Sequence, residues 1–205
     1  MNIEAIRARA VEKMTGIPEP PCEPGYRLHH GQRVEALALD IAQREKLDVN
    51  RDHLAIGALL HDIGKATTRE NESHGEKGAD IVRAEFADLM DADDLEAVAQ
   101  IVLHHYDRPN SIWFDGKDKP AWPKEILIVQ DADMLDHFGV PGIWLTLHWA
   151  AHKDFTPART NTDWFTSEYM CSWRREARRS INFTASRRML ELRIAQMDDF
   201  FRQLK

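Results

Sequence analysis

The chain has 205 residues, 43% of them hydrophobic and 30% charged, which is typical of one soluble globular domain with a sizeable core. Its net charge of −7 disfavours nucleic acid as a partner, so a phosphate-bearing ligand would need local positive charge or a metal ion. Cys22 and Cys171 are too few and too far apart for a disulfide framework, and no apolar run is long enough to span a membrane. These features predict a cytoplasmic protein without membrane contact.

Apolar residues recur at helical spacing along nearly the whole chain, and no period-two strand pattern is convincing. The first helix is predicted over about 2–14, before a segment with four prolines (GIPEPPCEPG). The second is predicted over about 27–46, and the third begins near Asp52 as its N-cap. Ser73 and Glu76 have the spacing of a capping box, which predicts a fourth helix from Ser73.

The second half of the chain continues the helical pattern after the loop DRPNSIWFDGKDKPAW. Five more helices are predicted, at about 93–106, 123–138, 141–153, 166–180 and 184–203. The residues that mark helix starts in this part are Asp93 with Glu96, Pro123, Pro141 and Thr184. The chain is therefore predicted to be all-α, one domain of residues 1–205 with eight or nine helices.

Helical phase identifies two histidines, among ten in the chain, that face the core. His30 lies four residues before Val34, on the apolar stripe of the second helix. His61 lies seven residues after Leu54 and shares the buried stripe of the third helix. Both imidazoles are therefore expected to be buried and to need polar partners.

The same argument selects one of two neighbouring aspartates. Asp133 lies seven residues after Ile126 and four after Val129, so it points inward. Asp131 lies two residues away from it and points elsewhere.

One divalent cation bound by His30, His61, Asp62 and Asp133 would satisfy all of these buried groups. Imidazole and carboxylate ligands suit manganese, iron, cobalt, nickel or zinc, and the carboxylates tolerate magnesium. His74, at a helix start, and His104, three residues after Ile101, could hold a second ion bridged by Asp62. Alternatively, these two histidines contact substrate phosphate or act as acids, so the number of ions stays open between one and two.

The order His30, His61-Asp62, Asp133 resembles that of the HD-domain metal-dependent phosphohydrolases. The stretch HHGQRVEALALDIA resembles the first motif of that family, GALLHDIGK the second and LIVQDADMLD the third. The resemblance covers about residues 25–140, leaving 141–205 as C-terminal helices, and it implies an HD-type helical bundle.

A narrower resemblance extends into the C-terminal part. QDADMLDHFGVPGIWLTL and TASRRMLELRIAQMDDFF are similar to bacterial HD hydrolases that split nucleoside triphosphates with a single metal. This chain departs from them at Met134, where their pattern has arginine. SHGEKGADIV and the pair His104-His105 look more like HD proteins with two metals, such as the diadenosine tetraphosphate hydrolases.

The resemblance implies a phosphohydrolase that hydrolyses a nucleotide or another small phosphate ester with a metal-activated water. Asp62 would orient that water, and His104 or His105 could protonate the leaving oxygen. Lys65, four residues after His61, could bind phosphate, as could Arg33 if it faces the cleft.

Other readings remain open. The less favoured alternative for Lys65 is a solvated loop residue. An arginine-rich stretch near residues 174–188 could bind phosphate, form a solvated basic face or contribute to a homodimer. An HD-fold mixed-valence di-iron oxygenase, which needs His74 and His104 as ligands, and a non-catalytic nucleotide-binding protein are the alternative functions.

Overall fold

A computed structural model describes residues 1–17, 22–68 and 73–204. Over these residues the chain is all-α, as predicted, without a β-strand. The helices are α1 (Ile3–Thr15), α2 (Tyr26–Arg44), α3 (Arg51–Leu60), α4 (His74–Glu85), α5 (Ala92–His104), α6 (Lys124–Asp136), α7 (Val140–His152), α8 (Pro157–Arg159), α9 (Glu168–Ser180) and α10 (Thr184–Arg202). Short 3₁₀ turns occur at Ile63–Ala66 and Ile112–Phe114, and α8 continues into a π-helical turn over Thr160–Phe165. The described part thus contains ten helices rather than eight or nine, because α8 was not predicted. None of these helices combines the length and apolarity that a membrane span requires.

Two predicted helix starts lie inside the first turn of the observed helices. The N-cap of α3 is Asn50 rather than Asp52, and its side-chain oxygen accepts hydrogen bonds from two backbone amides of the first turn. The N-cap of α5 is Asp91 rather than Asp93, and it accepts from one such amide. In both cases an earlier Asn or Asp satisfies amides that have no partner within the helix.

The remaining starts follow the predictions more closely. The Ser73 hydroxyl accepts from the Glu76 amide, which confirms the predicted cap of α4. Pro123 directly precedes α6, and Pro141 lies in the first turn of α7. Thr184 is the first residue of α10 rather than its cap.

The helices enclose two groups of buried apolar side chains. One group joins α2, α3 and α6 to the C-terminal helices and includes Leu54, Ile128 and Phe201. The other joins α1, α4 and α5 to α3 and includes Leu60 and Phe86. Each such side chain contributes about 1.5–3 kcal/mol when fully buried, so the position of α3 between both groups is strongly determined.

Helix α2 approaches the end of α3 unusually closely at a glycine. A Cβ atom built on Gly31 would lie 2.3 Å from the Leu59 carbonyl oxygen. Since that carbonyl is part of the α3 backbone, it cannot move away cheaply. The close approach brings His30 and His61, the neighbours of this contact, towards each other.

We expect Gly31→Ala to lower the free energy of unfolding by about 1–3 kcal/mol, because the added methyl overpacks a backbone contact. Urea denaturation monitored by circular dichroism measures this change. Gly16→Ala is the matched control, since a Cβ there meets nothing within 4 Å and Ala at a compatible position is neutral or stabilising by up to about 1 kcal/mol. Equal stability of the two variants would contradict the packing argument.

Candidate metal centre

Three helices bring His30, His61 and Asp133 together in the interior. The Nε2 atoms of His30 and His61 are 3.1 Å apart, and they lie 3.3 and 3.7 Å from Asp133 Oδ1. All three residues are buried. His30 comes from α2, His61 directly follows α3 and Asp133 lies on α6, so the inward direction predicted from helical phase is observed for each.

A second trio lies beside the first and consists of Asp62, His74 and His105. The Nε2 atoms of His74 and His105 are 3.0 Å apart, and they lie 3.6 and 3.7 Å from Asp62 Oδ1. His74 occupies the first turn of α4, and His105 directly follows α5.

The Asp62 carboxylate stands between the two trios. Its Oδ1 atom faces the second trio, whereas its Oδ2 atom lies 3.8 Å from His30 Nε2 and 3.9 Å from His61 Nε2. One oxygen is therefore directed to each group of ligands, which is the arrangement of a bridging carboxylate.

Hydrogen bonds at the other ring nitrogens orient three of the imidazoles. His61 Nδ1 donates to the Ala58 carbonyl and His105 Nδ1 to the Val102 carbonyl, both at 2.7 Å. His30 Nδ1 donates to Asp136 Oδ2, also at 2.7 Å. A proton held on Nδ1 leaves the Nε2 lone pair available, which is the usual support for a metal-ligating histidine.

These donors fit divalent cations. With Nδ1 protonated, the Nε2 atoms of His30 and His61 face each other across 3.1 Å, so a proton or a metal cation must lie between their lone pairs. Ligands about 2.1 Å from a cation are separated by about 3.0–3.4 Å in octahedral or tetrahedral geometry. The separations within both trios, 3.0 to 3.7 Å, are close to this range. Each trio could therefore hold one ion.

Burial and charge pairing set the protonation of the centre. Burial opposes ionisation of Asp62, but His61, Lys65 and Arg27 outweigh it and hold its pKa well below the usual range. Burial likewise opposes ionisation of Asp133, and hydrogen bonds from His137 and His30 keep its pKa low. Both carboxylates are thus ionised and able to bind a cation.

The histidines of the two trios differ in their affinity for protons. Burial lowers the pKa of His30, but hydrogen bonds to Asp133 and Asp136 raise it to about 9. A cation in the first trio therefore replaces a proton on His30. Burial lowers the pKa of His105 to about 3 and also lowers that of His74, so the second trio offers neutral rings.

His104 is not brought to the cluster, in contrast to the sequence-based prediction. Its Nδ1 atom lies 2.9 Å from Asp107 Oδ2, and its ring stacks on Trp122 with centroids 4.0 Å apart. His105 takes the predicted place because it follows Val98 by seven residues, on the buried stripe of α5, whereas His104 is one residue out of phase.

The other predicted residues surround the trios. Lys65 Nζ lies 3.3 Å from Asp62 Oδ2 and the side chain is about one-third exposed, so it can reach both the centre and solvent. Arg33 donates from Nε and Nη2 to Asp136. Asp131 points away from the centre, as predicted, and accepts hydrogen bonds from the backbone amides of Asn182 and Phe183.

Several neighbours of the centre were not singled out from the sequence. Arg27 Nη1 lies 2.5 Å from Asp62 Oδ2, and Arg108 Nη2 lies 2.7 Å from Asp133 Oδ2. Asp136 supports His30. Helical spacing could have identified two of them. Arg27 lies three residues before His30 on α2, and Asp136 lies three residues after Asp133 on α6, so each shares a helix face with a predicted ligand. Arg108 lies in a loop, where no such signal exists.

The arginine-rich stretch is engaged mainly with its own chain. Arg178 pairs with Glu191, Arg175 with Glu168 and Arg179 with Asp115. These pairs are largely exposed and lie on α9 and its neighbours, in agreement with a solvated basic face.

Comparison with known proteins places the same residues within one family. The family model described as HD domain matches residues 27–137, which include all six residues of the two trios. Ribonuclease Y of Pseudothermotoga lettingae is 32% identical over 109 residues, which are 50% of this chain and 18% of that protein. A tRNA (cytidine(56)-2'-O)-methyltransferase of Thermoplasma volcanium is 41% identical over 63 residues, 31% of this chain and 18% of that protein. The chain thus spans about a fifth of the length of these curated relatives.

Solved structures show the fold over nearly the whole chain. A predicted HD superfamily hydrolase from an uncultured Thermotogales bacterium has a TM-score of 0.63 at 21% identity, covering 98% of this chain and 89% of that chain. Bacillus subtilis YpgQ in complex with ADP also has a TM-score of 0.63 at 21% identity, covering 99% and 93%. The family model matches more than half of the chain and establishes that the chain belongs to the HD-domain superfamily.

Proposed function

We propose that the protein is a metal-dependent phosphohydrolase that hydrolyses a nucleotide or another small phosphate ester, with one divalent cation in each trio. The observation that carries the proposal is the position of Asp62, whose two oxygens face different pairs of histidine nitrogens. A non-catalytic binding protein has no need for such an arrangement, because phosphate can be bound by arginine and backbone amides alone.

The residues of the centre have separable roles in this proposal. The two trios would hold cations, which would polarise a phosphoryl oxygen and lower the pKa of bound water. Lys65, which reaches from Asp62 towards solvent, supplies a point charge for phosphate oxygens. His105 acts as a ligand rather than a proton donor, since it is buried and neutral. His104 keeps its place between Asp107 and Trp122 and takes no part in the reaction.

A nucleotide is the favoured substrate for two reasons. One structural neighbour of the same fold, YpgQ, is known in complex with ADP. The net charge of −7 disfavours a long polyanion such as RNA, although the similar Ribonuclease Y proteins carry that activity in their name. The possible homodimer predicted from the sequence stays a prediction.

The paired trios also favour a second candidate, an HD-fold mixed-valence di-iron oxygenase in which His105 replaces the predicted ligand His104. Four imidazoles and two carboxylates around two positions suit iron as well as manganese, cobalt or nickel. In that case the metal content of the purified protein would be two irons per chain with a mixed-valence magnetic signal.

The function is tested by a screen of nucleoside mono-, di- and triphosphates, simple phosphate esters and a short RNA with manganese, cobalt, nickel and magnesium. We expect hydrolysis of at least one small phosphate ester, with loss of activity in Asp133→Asn. The control is Asp40→Asn, which alters an exposed carboxylate paired with Arg44. Hydrolysis of RNA alone would contradict the proposed substrate class, and the absence of any hydrolysis would contradict the proposed reaction.

Metal counting on two adjacent variants tests the ligand assignment. We expect His105→Ala to lower the metal content from about two ions per chain towards one, because it removes a ligand of the second trio. His104→Ala should leave the count unchanged, because that ring contacts Asp107 and Trp122 instead. Elemental analysis after dialysis gives the counts, and circular dichroism verifies the fold of both variants. Loss of metal in His104→Ala but not in His105→Ala would reverse the assignment.

A substitution of Asp136 tests whether its carboxylate orients the His30 ring for metal binding. Asp136→Asn should weaken metal binding by about 10–100-fold, because the carboxylate that fixes the His30 ring becomes a neutral amide. Competition with a fluorescent chelator measures the affinity of each variant. Asp40→Asn serves again as control, and unchanged affinity in Asp136→Asn would show that the ring is oriented by other contacts.

A further inference from the structure

A cavity of about 380 Å³ opens between the loop that follows α5, helix α6 and helix α9, and Arg108 in its wall contacts Asp133 of the first trio. Its size is within the usual range for small-molecule sites. Its walls include one arginine and several large apolar side chains, namely Tyr106, Arg108, Trp113, Phe114, Met134 and Trp173.

Arg108 connects this cavity to the metal centre. Its Nη2 atom donates to Asp133 Oδ2 at 2.7 Å, while its Nε atom is buried and makes no hydrogen bond to any described residue. A guanidinium stays protonated and can only donate, so the Nε–H group is left without the oxygen acceptor that it needs. An anionic oxygen is the strongest such acceptor.

The loop that carries Arg108 is held firmly in place. Gln130 Nε2 donates to the carbonyl oxygens of His104 and Asp107, and Trp122 Nε1 donates to the Asp107 carbonyl as well. Gln130 is completely buried on α6. The backbone directly before Arg108 is therefore fixed relative to Asp133, which lies on the same helix as Gln130.

Two carboxylates also line the cavity, and each has a hydrogen-bond partner in its own chain. Asp107 Oδ2 lies 2.9 Å from His104 Nδ1. Glu176 Oε2 accepts from the Ile112 amide at 3.3 Å. The aromatic walls remain available, and Trp113 is 76% exposed.

We propose that this cavity binds the nucleoside monophosphate part of the substrate. The Arg108 guanidinium donates to a phosphate oxygen next to Asp133, and the base stacks against Trp113 and Trp173. The proposal rests on the proposed function, which it deepens by naming the substrate class and the residues that recognise it. Aromatic side chains stack on the face of any base, so the site is expected to bind nucleoside monophosphates without selecting one particular base.

A neighbouring cavity of about 360 Å³ on the other side of Trp173 is less suited to a charged ligand. Within the part of the chain that the structure describes, no arginine or lysine lines it. The Thr146 hydroxyl in its wall already donates to the Gly142 carbonyl. His137 also lines it, with its Nε2 atom 3.5 Å from Asp133 Oδ1, so the wall combines apolar contact with the ring of a histidine and no guanidinium.

Calorimetric titration of the manganese-loaded protein with AMP and with inorganic phosphate tests the proposal. Arg108→Lys should weaken binding of both probes by about 10–100-fold, because lysine keeps the charge but has no Nε–H fork. Arg83→Lys is the matched control, since Arg83 forms an exposed pair with Glu96. Each variant is titrated at a manganese concentration that elemental analysis shows to be saturating.

The aromatic half of the site has its own pair of variants. Trp113→Leu should weaken AMP binding by about 5–100-fold and leave inorganic phosphate unchanged. Trp144→Leu is the control, because Trp144 is also exposed, at 52%, but does not line this cavity. If Arg108→Lys cannot be loaded with manganese, the Trp113 variants decide the question.

The outcomes separate this inference from the proposed function. Unchanged AMP affinity in metal-loaded Arg108→Lys and in Trp113→Leu overturns the inference, even if the wild type hydrolyses nucleotides. Weakened AMP binding in both variants supports it, even if no phosphate ester is hydrolysed, and in that case only the proposed reaction fails.

Discussion

The structure depends on the burial of the Asp62 carboxylate among four imidazole rings. The carboxylate is 3% exposed, and an ionised group at that depth is tolerated only with opposite charge and hydrogen bonds around it. Arg27 and Lys65 supply positive charge to one of its oxygens. The surrounding histidines contribute as well, since a proton or a metal cation on their nitrogens adds further positive charge. Helices α2, α3, α4 and α5 must therefore converge on one point.

Close backbone packing makes this convergence possible. Gly31 of α2 lies against the Leu59 carbonyl of α3, and a Cβ atom on Gly64 would lie only 1.9 Å from the His74 carbonyl oxygen. These contacts flank the two trios, one on each side. A larger residue at either position would clash with this backbone, so the glycines permit the close packing that brings the ligands together.

Helical periodicity in the sequence correctly predicts the inward-facing ligands that lie within helices. It gives no reliable prediction for residues at or beyond the end of a helix. His30 and Asp133 have apolar neighbours on both sides in the helical pattern, and their inward direction follows from it. His104 and His105 stand at the last turn of α5, where one residue of phase decides which ring is buried. Arg108 lies beyond the helix, so only the tertiary structure reveals that it reaches Asp133.

The charges of the centre explain how a protein of net charge −7 could attract phosphate. Three carboxylates whose pKa values are all lowered pair with three arginines from separate positions: Asp62 with Arg27, Asp133 with Arg108 and Asp136 with Arg33. Within each pair, the negative charge of the carboxylate and the positive charge of the arginine cancel. Any cation held by the histidines then adds its full positive charge to a buried site, and Lys65 adds one more. In a low-dielectric pocket such a local excess outweighs the distant surface carboxylates, which solvent screens.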